Sequence, residues 1–592
     1  MNTEDNFRLE ERIRHRRRRN VLVLAMSILW CAGATPKFSA QNLNPEEISR
    51  SIHGTVVNSV TNEPIGHALV YSPDNQFATM TDDQGHFEFV LSESIFFDPN
   101  VHPPRSALFP ATRPDQLRAR KPGFLADEDV FQSGRVGPEQ KEVTLALTPE
   151  SLIVGQLVLP DDSDRTVVLL YHRAVQEGRA RWLPDGNAFA KSNGEFRFAG
   201  LKAGKYKLAT RELLDRDPST YDPRGQLYGY PPVYFPPATD FAAPETIDLS
   251  AGNTFHLSLS PVRKPYYQVR VPVANVPEGT MLRVIVTAQG RPSPGFFLGY
   301  NQQEHRIEGL LPDGNYTLEI SNYGSPAMNG IANITVKNAA AQGAPITLVT
   351  GGSIVINVKE EFTSRNASAT MTWNTNGRSF QVKGPRRYLN LTLWPADDFD
   401  LENMASLDPP SGPGDETLLI SRAQPGAYWV RVSSNLGFPA SITSGGTDLL
   451  HHPLILGWGA SAPPIEITMR DDWAQLDGKI ESASLSLPIS PSHTNVGTGQ
   501  ENAESAWIYL VPLPDSAGQF QEFSMTLYEE SAGRQIAPGE YRVLVFDRRQ
   551  PELEYSNPEA MRAYDGKGQV VRFIGGQKEQ LTLPLISTSE SR

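Results

Sequence analysis

The sequence predicts an all-β chain, a tandem array of about five antiparallel β-sandwich domains. Three observations predict it. The phrase Gly-x-Tyr, followed by alternating apolar residues, occurs at Gly204, Gly314, Gly426 and Gly539, spaced by 110, 112 and 113 residues. A near-constant period of that length exceeds a solenoid repeat and lets each repeat hold its own core. The chain carries 48 Pro and 47 Gly in 592 residues, which suits short strands joined by turns. The third is a lack of long amphipathic helical patterning; Pro558 to Tyr564 is the best short helical candidate.

The repeated phrase has a physical reading. Gly before the strand permits a backbone conformation, or a close approach, that a Cβ forbids. Side chains then alternate, so Tyr206 and Leu208 share a face, as do Tyr316, Leu318 and Ile320. The same holds for Tyr428, Val430 and Val432, and for Tyr541, Val543 and Val545. The opposite face is wet, carrying Lys205 and Lys207 in the first copy and Glu540 and Arg542 in the last. Trp429 breaks the rule by standing on the outer face, where it is expected to meet a neighbour.

The N-terminus reads as an address. Arg12, Arg14 and Arg16 to Arg19 form a basic region, Val21 to Trp30 an apolar one, and Ala32-Gly33-Ala34 or Ala40 offers a cleavage point. Residues 1–40 are therefore expected to be a signal peptide, with a retained N-terminal anchor as the alternative and the sole route to a membrane. The expected location is extracytoplasmic: periplasm, cell surface or medium. Cys31 is the only cysteine, and Trp30 before it is too large for a lipoprotein site, so a cleaved chain has no thiol chemistry. The net charge is −13; residues 1–40 hold eight basic and four acidic side chains, leaving −17 without them. An acidic exterior argues against nucleic acid and anionic membrane surfaces.

The strands follow in order. Ser51 to Val57 and Ala68 to Tyr71 flank a turn at Thr61 to Gly66, and Thr79 to Gly85 turns into Phe87 to Val90. Lys121-Pro122-Gly123-Phe124 and the strand Val143 to Leu147 close the first block. The succession G-T-V, E-P-I-G-H-A-L-V, T-D-D-Q-G-H-F-E-F and K-P-G-F resembles the carboxypeptidase regulatory-like domain. Leu152 to Val158 and Ser192 to Leu201 repeat the resemblance, and the later repeats diverge. That family implies a transthyretin/Ig-like β-sandwich, grouped with carbohydrate-binding-like folds. As a whole the chain resembles exported proteins of soil bacteria, acidobacteria especially, built from such domains without an attached enzyme. The expected units are 51–149 and 150–263, both regulatory-like, then 264–350, 351–470 and 471–592. They read as beads on a string, called units 1 to 5 below. Ser482 to Ala506 reads as a mobile loop.

No catalytic set is visible. The sequence lacks a phosphate loop, a dinucleotide fingerprint, a G-x-S-x-G elbow and an H-E-x-x-H helix. His305 and Glu308 have a zinc-site spacing, yet on a strand residues three apart point to opposite faces and cannot share a metal. His67 and His86 follow turn glycines and read as solvated, as does the pair His451-His452. Asp161 to Asp164 lacks the spacing of a calcium loop. No catalytic residue, metal or cofactor is expected. The candidate ligand site is aromatic: Tyr228, Tyr230, Tyr234 and Phe235 sit among four prolines within Tyr228 to Pro237. Rigid rings on a proline frame suit sugar stacking or an extended peptide. The competing reading is that these rings cap the second sandwich or wedge against the next unit. The function expected is a non-enzymatic binding or scaffold protein, with a polysaccharide as the partner the fold group implies. The alternative is a structural or adhesive surface protein that binds envelope proteins through sheet edges and inter-domain grooves.

Overall fold

Each unit opens on a strand that becomes the centre of a mixed sheet. Ser51–Asn58 pairs antiparallel with His86–Val90 and parallel with Glu142–Leu147. Ser151–Leu157 does the same with Glu195–Leu201 and Thr254–Leu259. The pattern recurs for Lys264–Ala274, Ile354–Glu361 and Ala474–Glu481. The parallel partner is always the last long strand of the unit or its closing short strands, so the intervening chain, which builds the second sheet, serves as the crossover a parallel pair needs. Start and finish lie side by side, and each unit closes on itself.

These features come from a computed structural model that describes residues 51–91, 114, 116–125, 136, 141–159, 166–214, 225–238, 241–243, 245–288, 291–323, 327–363, 371–375, 378–399, 403–459, 462–481, 505–526 and 531–586. The expected signal segment, Cys31, Asp161 to Asp164 and residues 482–504 of the Ser/Thr-rich stretch lie outside them. The strand Ser505–Pro512 takes in the end of that stretch. Buried side chains gather into separate large cores within 52–147, 153–259, 269–348, 354–469 and 474–583. The strand pattern explains this: Glu142–Leu147 alternates exposed and buried residues without a break.

The Gly-x-Tyr strands stand in the second sheet of units 2 to 5, and all four rings are buried. Each hydroxyl donates to the carbonyl four residues earlier: Tyr206 to Lys202 at 2.8 Å, Tyr316 to Pro312 at 3.0 Å, Tyr428 to Gln424 at 2.8 Å and Tyr541 to Ala537 at 2.7 Å. This is the tyrosine corner of Ig-type sandwiches, in which a buried ring pins the turn that precedes its strand. It satisfies a phenol that burial would otherwise leave costly. The ring folds back over the glycine. A Cβ on Gly314 would lie 2.8 Å from the Tyr316 hydroxyl oxygen, and Gly426 has φ +152°, which a side chain rarely adopts. The conserved spacing of the phrase is thus the spacing of one corner.

The helical candidate is present. Pro558–Met561 is a helix whose Asn557 cap accepts from the Glu559 and Ala560 amides, and Arg562–Tyr564 continues it as a 3-10 turn. Met561 and Tyr564 pack on a smaller cluster of Tyr509, Val511, Leu544, Phe546 and Leu553, on the outer face of the unit 5 sheet.

Candidate functional site: the junctions between units

The two longest-reaching strands of unit 2, Val167–Gln176 and Arg179–Phe189, form one hairpin. Its turn residues Glu177 and Gly178 have φ of +49° and +70°, as a two-residue turn matching the strand twist requires. The tip is held by units 4 and 5. The Glu177 carbonyl accepts from Arg431 Nη2 at 2.9 Å and from Ser556 Oγ at 3.0 Å, and the Ser556 amide donates to the Gly178 carbonyl at 3.0 Å. Arg173 meets Glu554 at 2.6 Å. A Cβ on Gly178 would lie 2.6 Å from the Tyr555 ring, so this glycine answers to a neighbour in unit 5 as well as to its own turn.

Further along the hairpin, unit 2 grips unit 4. The Arg179 guanidinium lies 3.7 Å from the centre of the Trp429 ring, so the outward-facing tryptophan does meet a neighbour. Burial, and then the charges of Arg431 and Arg181, push Arg179 down to about 10. Arg181 is 2% exposed and donates to the carbonyls of Asp397, at 3.0 Å, and Pro395. The Trp182 amide donates to the Asp398 carbonyl at 2.9 Å, and its indole lies parallel to Phe399 at 6.5 Å.

Lys207 is the centre of this contact. Lys205 stays on the wet face and pairs with Asp248 at 2.9 Å, but Lys207 is 4% exposed. Its ammonium donates to the carbonyls of Phe241, at 2.8 Å, and Ala243. It also stands 4.7 Å from the Trp182 ring, 5.5 Å from Phe241 and 5.7 Å from Phe399. A buried ammonium is tolerable only where dipoles and ring faces replace water, and here they come from two units. The reading of Lys207 as a solvated residue is corrected by these contacts. The beads-on-a-string picture is corrected as well: the cores are separate, but units 2, 4 and 5 are clamped together.

Units 2 and 3 share a sheet. Leu227–Tyr230 pairs with Leu213–Leu214 on one side and with the unit 3 strand Lys264–Ala274 on the other. Glu212 adds a second link: its amide donates to the Gly295 carbonyl at 3.0 Å, and its Oε1 accepts from the Phe297 amide at 2.8 Å.

The four aromatic residues singled out in the sequence divide across this junction. Tyr228, with Arg263 4.3 Å from its ring centre, and Tyr230, 5% exposed, lie on the strand that joins the unit 3 sheet. Tyr234 and Phe235 form a short strand on the Gly-x-Tyr strand of unit 2 and are half-buried. Tyr234 packs on Phe241 and Phe235 on Phe255, with ring centres 5.6 and 6.0 Å apart. The structure therefore brings together Tyr228 with Tyr230, and Tyr234 with Phe235, on two different sheets. Replacing Tyr230 and Tyr234 together with Ala is expected to lower stability by about 3–5 kcal/mol, because one buried and one half-buried ring are lost at the junction. A thermal melt checks it beside a polysaccharide pull-down; an unchanged melt with lost retention would mark a stacking platform.

Units 4 and 5 meet at His451. Its Nδ1 lies 2.7 Å from Asp448 Oδ2 and its Nε2 3.2 Å from the Ser516 carbonyl of unit 5. The histidine expected to be solvated is thus half-buried at a junction, while His452 is exposed. Beside it lies an open cleft of about 770 Å³ whose charged walls are Arg470, Asp472, Asp515, Glu540 and Arg572. His305 occupies a turn at φ +47°, ahead of the strand expected to contain it, and faces the Tyr300 hydroxyl at 3.3 Å. Glu308 is engaged by Arg306 at 2.7 Å and Asn301 at 2.8 Å. Among the described residues, no group of three or more His, Cys, Asp or Glu could hold a metal ion. No described helix is long and apolar enough to cross a membrane.

No protein-family model matches the chain, and no curated protein matches its sequence. Solved structures similar to it include two streptococcal pilins and a Bacillus anthracis protein. A streptococcal ancillary pilin is 10% identical over 54% of this chain and 99% of its own, with a TM-score of 0.19. GBS52, the minor pilin of Streptococcus agalactiae, is 14% identical over 39% of this chain and 100% of its own, with a TM-score of 0.17. The Bacillus anthracis TIE protein is 9% identical with a TM-score of 0.13; 56% of this chain matches 51% of that one, so the match spans about half its length.

Proposed function

We propose that this protein is a non-enzymatic, extracytoplasmic scaffold that holds several β-sandwich units in a fixed arrangement and offers sheet edges and inter-unit grooves to other envelope proteins. The observation that carries this reading is the unit 2 hairpin, whose side chains and backbone are spent on gripping units 4 and 5. Arg181 is buried with its guanidinium on backbone carbonyls of unit 4, and Lys207, held by carbonyls of its own unit, lies against the Phe399 ring of unit 4. Such groups fix relative orientation, which a flexible string of binding modules does not need. The resemblance of units 1 and 2 to carboxypeptidase regulatory-like domains supports a non-catalytic role, since those domains are the partner and not the enzyme. The basic and apolar segments within residues 1–40 support export.

A glycan array run with the purified chain separates this reading from polysaccharide binding. The expected result is no glycan retained above background, while cell fractionation finds the protein outside the cytoplasm. Retention of one defined glycan, lost in Tyr234→Ala without a change in melting, would replace the scaffold with a polysaccharide-binding protein.

A further inference from the structure

Two junctions rest on groups whose bonding depends on a proton. Glu212, between units 2 and 3, has one carboxyl oxygen that accepts from the Phe297 amide, while Oε2 is buried facing the Tyr266 hydroxyl, which is likewise buried and without another partner. The titratable groups facing it are the hydroxyls of Tyr266 and Tyr316 in unit 3, both pushed upward by burial and then by Glu212 itself, so they stay neutral. An ionised carboxylate there would have its buried charge answered by two neutral donors, the Phe297 N–H and the Tyr266 hydroxyl; the neutral acid carries no charge to bury. His451, between units 4 and 5, stands between two acceptors, the Asp448 carboxylate and the Ser516 carbonyl. Only an imidazole protonated on both nitrogens donates to both. The other titratable groups around it are His452, from its own turn, and Asp515, from the unit 5 loop.

We propose that protons lock these two junctions: in mild acid Glu212 and His451 hold units 2 to 3 and 4 to 5 together, and above neutral pH both contacts loosen while the units stay folded. The two sites lie in different units and share no residue, yet they respond in the same direction.

The titration of each group agrees. Burial, opposed by the Phe297 amide and Tyr266, carries Glu212 up to about 7 from its ordinary 4.5. A raised carboxyl contributes most below its unfolded value, and its contribution is lost as pH rises through about 7. For His451 burial opposes the charge, but hydrogen bonds to Asp448 and Ser516 and the charges of Asp448 and Asp515 outweigh it, so the net shift is upward. Its contribution is full below the ordinary histidine range and disappears as pH rises through the raised value.

Hydrogen exchange on the full chain at about pH 5.5 and about pH 8.5, each corrected to the intrinsic rate, tests this. Protection of the Phe297 amide is expected to fall about tenfold or more between the two, and Glu212→Gln, which copies the neutral acid, is expected to abolish that fall. His451→Gln is expected to leave Phe297 unchanged and to give residues 513–516, already at acid pH, the low protection seen at alkaline pH in the parent. Equal corrected protection at both pH values, or a pH dependence that survives in Glu212→Gln, would overturn the proposal. Should Glu212→Gln fail to fold, infrared titration of the unaltered protein still decides: a buried carboxylic acid band that persists to near-neutral pH supports it, and full ionisation near pH 4.5 contradicts it.

Discussion

Tyr316→Ala is expected to unfold unit 3. The ring is 5% exposed, meets Phe296 edge-on at 5.6 Å and pins its own turn through Pro312. Truncating a buried aromatic costs about 3–5 kcal/mol, much of the stability of a typical domain. Tyr316→Phe keeps the ring and loses the corner bond, so it should cost only about 1 kcal/mol. Limited proteolysis is the readout: cuts should appear between residues 264 and 350. They should appear within 225–238 as well, because Leu227–Tyr230 loses the strand it pairs with. Units 1 and 4 should survive, their cores being separate. A resistant unit 3 in Tyr316→Ala would show that the corner does not hold the unit.

Trp182→Ala should have the second largest effect, and it acts between units. The indole lies against Phe399 of unit 4 and covers one side of the Lys207 ammonium. Its loss costs about 3–5 kcal/mol as a core truncation, and it also admits water beside a charge the site holds with carbonyls and rings. Units 2 and 4 should part before either unfolds. The gentler test is Lys207→Met, which keeps the stem and leaves the Phe241 and Ala243 carbonyls without their donor, at a cost of about 1–3 kcal/mol. Calorimetry should show an early transition in Trp182→Ala that the parent lacks, and small-angle scattering should show an increased radius of gyration. A single unchanged transition would mean that the contact carries no stability.

The sequence was informative wherever a pattern is local. The alternation after each Gly-x-Tyr placed the four tyrosines in the core, and the outward Trp429 signalled a covered face. The strand openings at Ser51, Ile354 and Ala474 followed from apolar alternation beside turn residues. The corner hydroxyl bonds carry no apolar pattern of their own, though their four-residue offset is written into the repeat. The junctions were out of reach for a different reason. Arg181 meets Asp397 across 216 residues of chain, and no periodicity records such a pair. Lys207 has the same alternation as Lys205, and groups distant in sequence, Trp182 and Phe241 of its own unit and Phe399 of unit 4, decide that one is buried and the other wet. Besides Trp429, the local hint is the hairpin itself, where Arg179, Arg181 and Trp182 crowd large side chains onto one long strand.

Unit 2 is fixed against unit 5 across two intervening units of chain. Cross-linking tests it most directly: in the full chain with Cys31→Ser, cysteines replace Glu177 and Ser556, and a short bismaleimide is added to dilute protein. Glu177 and Ser556 share a 3.0 Å hydrogen bond, so one intramolecular product should form rapidly and nearly completely. It should slow markedly in Trp182→Ala. Slow, partial linkage in the parent, at the rate of an unrestrained tether and indifferent to Trp182→Ala, would return the chain to independent beads.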